Sequence, residues 1–256
     1  VEAGVRKRKG YLDGALLLNQ LLESRAKAIS LRGGGEPTLH TKFDWIAREA
    51  HAAGIKLGLI TNGTNSLDAS LFDWIRVSLD ATNPEDYLEW KGRDFFDTVV
   101  GHVREWAQKT RVGLTFIGRP TLDVAAAKDL AVELCTDHVV FKKAFGTDAS
   151  WQSLEYLDDG NYPVGNGGLP CLVNSFVSRW GFDGNVHLCW ALKEKLPPLG
   201  NLNDLSFAAI WQGEEHRKQI KAVLDPNYTK VTCPDCRFSS YNQKVAEIKV
   251  RDEFFV

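Results

Sequence analysis

Between residues 28 and 141 the chain alternates short apolar runs with amphipathic stretches, and this rhythm limits the fold more than any other feature. Runs at 28–31, 56–60, 75–79, 111–117 and 138–141 read as strands. Between them, 38–53 carries Phe43, Ile46, Ala47 and Ala50 at helical spacing, with Gly54 placed to end the helix. Residues 95–108 and 124–134 read as further helices, 67–72 as a short one, and 10–27 as a helix before the first run, with Leu18, Leu21 and Leu22 on one face. Regular strand–helix alternation implies a parallel sheet with right-handed crossovers, an α/β class. A βα barrel and a doubly wound sheet both satisfy the pattern.

The unusual residues fall at the strand ends. Gly33-Gly34-Gly35-Glu36-Pro37 follows the first strand, Thr61-Asn62-Gly63 the second, and Ser78-Leu79-Asp80-Ala81 closes the third. Arg119-Pro120 follows the fourth and Lys142-Lys143 the fifth. In βα architectures the C-terminal strand ends share one face, where ligands bind. One such turn would be ordinary, but a set in register marks a candidate site.

Beyond residue 150 the character changes. Residues 151–170 are rich in breakers and read as a linker or lid. Gly181-Phe182-Asp183-Gly184-Asn185, flanked by 175–180 and 186–190, is a hairpin signal through its Asp-Gly. A helix is expected over 205–223. Four of the five cysteines lie here: Cys171 before the hairpin, Cys189 in its second strand, and Cys233 and Cys236 in a CxxC. An odd, late-clustered set is no secreted disulfide framework, and four thiolates suit either a structural zinc or an iron–sulfur cluster. Cys135 ends an apolar helical pattern and is expected to be a packed thiol. The six His form no metal-spaced group; Trp180, Trp190 and Trp211 are expected to pack over the cysteine module. The net charge of −2 argues against broad nucleic-acid or anionic-membrane binding, and no signal-peptide pattern or spanning apolar run occurs. A cytoplasmic protein is expected.

The segment Leu31-Arg32-Gly33-Gly34-Gly35-Glu36-Pro37-Thr38-Leu39 resembles the GGEP segment of the radical S-adenosylmethionine (SAM) superfamily, and the ends at Thr61-Asn62-Gly63 and Val77–Ala81 resemble its next two strand ends. The hairpin with Cys189, then Gly200-Asn201-Leu202 with Ile210-Trp211, then Cys233–Cys236, is similar to the SPASM/twitch extension of that superfamily. The resemblance implies a partial (β/α)6 barrel over 1–150 and an auxiliary iron–sulfur module over 171–256. It implies SAM held by Gly33, Gly34, Gly35, Glu36, Pro37 and Asn62, with Ser78 and Asp80 on the ribose, Arg119 on the methionine carboxylate and Lys142 as a second cation. Cys171, Cys189, Cys233 and Cys236 would hold an auxiliary [4Fe–4S] cluster. No Cys precedes Cys135, whereas the superfamily's CxxxCxxC should precede the first helix, so a second [4Fe–4S] cluster is expected on a segment before Val1. The implied activity is hydrogen abstraction by a 5′-deoxyadenosyl radical and net oxidation of a small sugar- or aminocyclitol-like molecule, fed by a reducing partner such as flavodoxin or ferredoxin. Modification of a ribosomal peptide, and a non-catalytic zinc scaffold, are the alternatives.

Overall fold

The computed structural model describes residues 10–142, 168–190, 192–233, 236 and 242–247. Apart from 168–170, the expected linker lies outside the described residues, as does Lys143. The chain divides into two compact units, Arg25–Asp159 and the pair Val1–Ser24 with Gly160–Val256. Among the described residues no helix is long and apolar enough to cross a membrane.

The first unit holds a five-stranded parallel sheet: β1 (Ala28–Leu31), β2 (Lys56–Thr61), β3 (Trp74–Ser78), β4 (Arg111–Ile117) and β5 (His138–Lys142), paired in chain order. That order decides between the two architectures left open by the sequence. A doubly wound sheet reverses direction partway, whereas crossovers that always step the same way keep every helix on one face, as a barrel requires. The α/β class is as expected, with five strands among the described residues against six in the expected barrel. Helices α1 (Gly14–Ser24), α2 (Phe43–Ala52), α3 (Pro84–Lys91), α4 (Phe96–Ala107) and α5 (Val124–Glu133) complete this half of the sequence.

The two faces of the sheet differ. Leu57, Leu59, Ile75, Val77, Val112, Leu114 and Phe116 are wholly buried on one of them, the face against which α2, α4 and α5 pack. The alternate residues stand on the other face, and those of β3, Trp74, Arg76 and Ser78, are only partly buried. Two glycines on this second face make room for rings: a Cβ at Gly58 would lie 2.1 Å from the Trp74 indole, and one at Gly113 2.3 Å from the His138 imidazole.

Several boundaries move. Residues 38–42 are not α-helical, because Pro37–Leu39 forms a 3₁₀ turn capped by Glu36. The expected helix at 67–72 is a 3₁₀ turn, Ala69–Leu71. Helix α3 was not expected; Asn83 caps it, Pro84 opens it and Gly92 ends it in the left-handed region. Cys135 is exposed rather than packed, since it sits past α5 at φ 53°.

The second unit departs from the expected boundary, because α1 groups with the C-terminal module and not with the strands. Leu12 and Leu16 pack on the module's core of Val186, Leu188, Leu192, Leu199, Leu202, Ile210 and Val223. Strands β6 (Arg179–Trp180), β7 (Asn185–His187) and β8 (Gly200–Asn201) form an antiparallel sheet in that order. Gly184, at φ 80°, closes the Asp-Gly turn. The expected helix 205–223 is two, α6 (Phe207–Trp211) and α7 (Glu214–Val223), broken at Gly213, and α8 (Pro226–Thr232) follows.

Candidate functional sites

Each unit carries one candidate site. In the cysteine module, Cys171, Cys189 and Cys233 pack against the small core together with Trp180 and Trp211, as expected for those two tryptophans, while the third, Trp190, lies under the Arg179 guanidinium. Cys171 is fixed by its backbone N–H, which donates to the Val223 carbonyl at 2.8 Å. The buried Asn242, a residue that no sequence pattern singled out, clamps the same loop. Its carbonyl accepts from Leu172 N (2.6 Å) and Val173 N (3.3 Å), and its amide donates to the Pro170 carbonyl (2.7 Å). Cys233 caps α8. Cys189 lies two residues beyond β7 and not within it.

All five cysteines are reduced, and those of the module act on each other. Burial pushes the Cys171 thiol up to about 11, and the sulfurs of Cys236, Cys189 and Cys233 add to the shift. Burial also pushes the Cys233 thiol up to about 11, with Cys236 and Cys189 adding and Lys195 opposing. Converging thiols that resist ionisation lack a compensating cation, and a bound metal centre would supply it. Among the described residues no three His, Cys, Asp or Glu are gathered closely enough for a single metal ion.

In the strand unit, Glu36 organises the glycine turn. Its Oε1 accepts from Thr38 N (3.1 Å), Thr38 Oγ1 (2.8 Å) and Thr61 Oγ1 (2.7 Å), and its Oε2 accepts from Asn62 N (2.6 Å). The carboxylate thus joins the end of β1 to the end of β2 and accepts from four protein donors. Asn62 likewise closes its own turn, accepting from Thr64 N (2.9 Å) and Thr64 Oγ1 (2.8 Å). Gly34 and Gly35 are different: a Cβ on either would meet nothing within 4 Å, and neither has a positive φ. The backbone does not require glycine there, and what glycine leaves is open space beside the turn.

Two expected ligands are already engaged by protein groups. Asp80, 2 % exposed, holds φ 62°; its Oδ1 accepts from Ile117 N at 2.8 Å and its Oδ2 pairs with Lys91 Nζ. Arg119, 3 % exposed, donates to the Asp80 carbonyl, to Asp86 and to Thr121 Oγ1, and its guanidinium lies 4.5 Å over the Trp90 ring. Together they lock the ends of β3 and β4 to α3. Ser78 remains partly buried at the end of β3, and Lys142 is paired in register with Ile117 at the end of β5.

A model of the SPASM family, described as an iron–sulfur cluster-binding domain, matches residues 179–237. The match includes Cys189, Cys233 and Cys236 and leaves Cys171 outside. An S-adenosylmethionine-dependent nucleotide dehydratase from Selenomonas ruminantium is 40% identical over 63 residues, 22% of this chain and 23% of that protein, so less than a quarter of that relative's length is matched. Among solved structures, SuiB of Streptococcus suis gives a TM-score of 0.60 at 12% identity, over 94% of this chain and 69% of SuiB. The enzyme anSMEcpe with bound AdoMet gives 0.59 at 17% identity, over 83% and 73%. BtrN in complex with AdoMet and 2-DOIA gives 0.53 at 17% identity, over 90% and 82%. At these identities the likenesses show the fold.

Proposed function

We propose that this chain, a radical SAM protein by its barrel and a SPASM protein by its cysteine module, catalyses the oxidation of a small molecule with an auxiliary iron–sulfur centre held by Cys171, Cys189, Cys233 and Cys236. The observation that carries the reading is the mutual influence of these four thiols, two of them held at about 11, three of the four lying in a segment that matches a cluster-binding family. Four thiolates supply every ligand of one cubane, which favours an electron-carrying or structural role over direct substrate binding.

Toward SAM, the open edge at Gly34 and Gly35 fits a cofactor that must approach the backbone closely, and Ser78 stands two strands away at the end of β3. Glu36 fixes that turn against β2, and the Asp80–Arg119 lock fixes the β3 and β4 ends, so the face is built before any ligand arrives. When bound, these cofactors supply a 5′-deoxyadenosyl radical for hydrogen abstraction and an acceptor for the electron released. The 256 residues contain no CxxxCxxC, so ligands for the SAM-binding cluster are not among them. A dehydration is the second reading, favoured by the local 40% identity to a nucleotide dehydratase. Peptide substrates, as well as a flavodoxin- or ferredoxin-like reductant, belong to the same proposal.

The full-length product, purified without oxygen, should be brown and hold four iron and four sulfide in this module, by the stoichiometry of a cubane. Replacing Cys233 and Cys236 together with Ala should remove that complement and abolish oxidised product while leaving 5′-deoxyadenosine measurable. Stoichiometric zinc without sulfide would overturn the assignment.

A further inference from the structure

We propose that Arg76 and Thr115, on the helix-free face of the sheet, form a subsite for an anionic group of the substrate, a phosphate or a carboxylate. This rests on the radical SAM reading above and adds the substrate's charge to it.

Arg76 sits in the middle of β3, the central strand, with Gly113 as its register partner on β4. Among the described residues it has no ion-pair or hydrogen-bond partner, and its Nε is buried without an acceptor. The guanidinium lies 5.7 Å from the Trp74 ring, a contact that supplies no acceptor for Nε. One pleat further along, Thr115 is 2 % exposed and its hydroxyl is also buried without a partner. A guanidinium Nε and a hydroxyl, both buried and unpaired, are what structures normally avoid.

Among the described residues, no carboxylate of the strands is placed to answer them. The helix-free face carries Lys56, Arg76, Arg111, His138 and Lys142 and no Asp or Glu in any of the five strands. The nearby carboxylates stand before the strands and are used there. Asp73 accepts from Leu57 N and pairs with Lys56 at 2.9 Å, and Asp137 accepts from Val112 N. The field of Arg76 is felt across the row, since burial first and this guanidinium second hold His138 below the usual histidine range. Position separates Arg76 from the cofactor, since it lies two residues, about 6.6 Å, below Ser78 along β3, whereas Thr115 is the register partner of Ser78 and stands at the boundary between the two. A planar fork of donors beside a hydroxyl suits an oxyanion.

The test uses the full-length, cluster-reconstituted protein with SAM present, titrated calorimetrically with inorganic pyrophosphate in one arm and succinate in the other. One anion should bind saturably, and the arm that binds names phosphate or carboxylate. Arg76→Gln should weaken that binding at least tenfold, Thr115→Val several-fold, and Arg76→Lys should recover part of it, with SAM affinity unchanged in both Arg76 variants. If Arg76→Gln does not fold, the Lys and Val variants carry the same comparison. Binding of neither anion, or equal binding by the variants, overturns the subsite. Loss of SAM affinity in step with anion affinity also overturns it, because the guanidinium would then serve the cofactor. A wild-type protein that binds pyrophosphate but no SAM would instead sink the radical SAM reading and leave the anion site standing.

Discussion

Removing the Asp80 carboxylate should unfold the protein more readily without touching the cofactor directly. Three contributions can be separated. Ile117 N–H loses its acceptor, which costs about 1–3 kcal/mol for a buried donor. Lys91 loses its ion-pair partner; breaking a buried pair costs about 3–5 kcal/mol, but Lys91 is 25% exposed and keeps the Ser78 carbonyl at 3.1 Å, so about 2 kcal/mol is the better figure. The third is conformational, since φ 62° is tolerated by Asp, Asn and Gly and penalises Ala by about 1 kcal/mol. Neighbouring contributions do not add fully, so Asp80→Ala should cost about 4 kcal/mol, Asp80→Gly about 3, and Asp80→Asn, which keeps an acceptor and the backbone preference, about 2. At roughly 2–4 °C per kcal/mol for a chain of this size, the Ala variant should melt about 8–16 °C lower. Thermal melts by circular dichroism rank the three, and equilibrium dialysis with SAM is run below each transition. A drop in SAM affinity for Asp80→Asn at unchanged melting temperature would refute the structural assignment and restore Asp80 as a ligand. So would an Ala variant within 1 °C of wild type.

Two further expectations follow from the same geometry. Gly35→Val should lower SAM affinity at least tenfold in calorimetry of the full-length protein while moving the melting temperature by under about 2 °C, because the added Cβ meets no protein atom; unchanged affinity would remove the turn from the site. Cluster-free protein should lose stability as pH rises between about 9, the ordinary thiol value, and about 11, because Cys171 and Cys233 are raised on folding and the folded state there holds more protons than the unfolded one. Urea titrations at pH 8 and 10.5 measure the difference, which should shrink once iron and sulfide are bound and the thiolates are neutralised.

The fold was legible where one physical signal dominated. Buried parallel strands must be continuous apolar runs, and β1 to β5 were found within a residue or two. The hairpin was found because Asp183-Gly184 permits few other backbones. Helix α3 escaped because Trp90 and Leu88 are exposed and its apolar face is weak; the Asn83-Pro84 start and Gly92 stop were its readable marks. The move of α1 into the C-terminal unit was unreadable, since it depends on contacts such as Gln20 Oε1 accepting from Phe207 N at 2.7 Å, between residues far apart in the chain. Of the candidate site, the cysteines and the glycine turn could be seen because their residue types are chemically unusual. Asn242 could not, because one Asn in a polar tail carries no pattern.

The strand-end charges teach a sharper lesson, and it follows from where backbone hydrogen bonds run out. At the C-terminal edge of a parallel sheet the last N–H and C=O groups have no further strand to pair with, and burial there demands side-chain substitutes. Glu36 takes Asn62 N, Asp80 takes Ile117 N, and Arg119 serves the Asp80 carbonyl, each crossing from one strand end to the next. Charged residues at this edge are therefore recruited first to finish the sheet, and sequence position alone cannot tell that duty from ligand binding. What separates them is whether the side chain is already satisfied. By that criterion the candidates we propose for ligand contact in the strand unit are atoms the protein leaves open: the backbone beside Gly34 and Gly35, and, on the helix-free face, Arg76 Nε and the Thr115 hydroxyl.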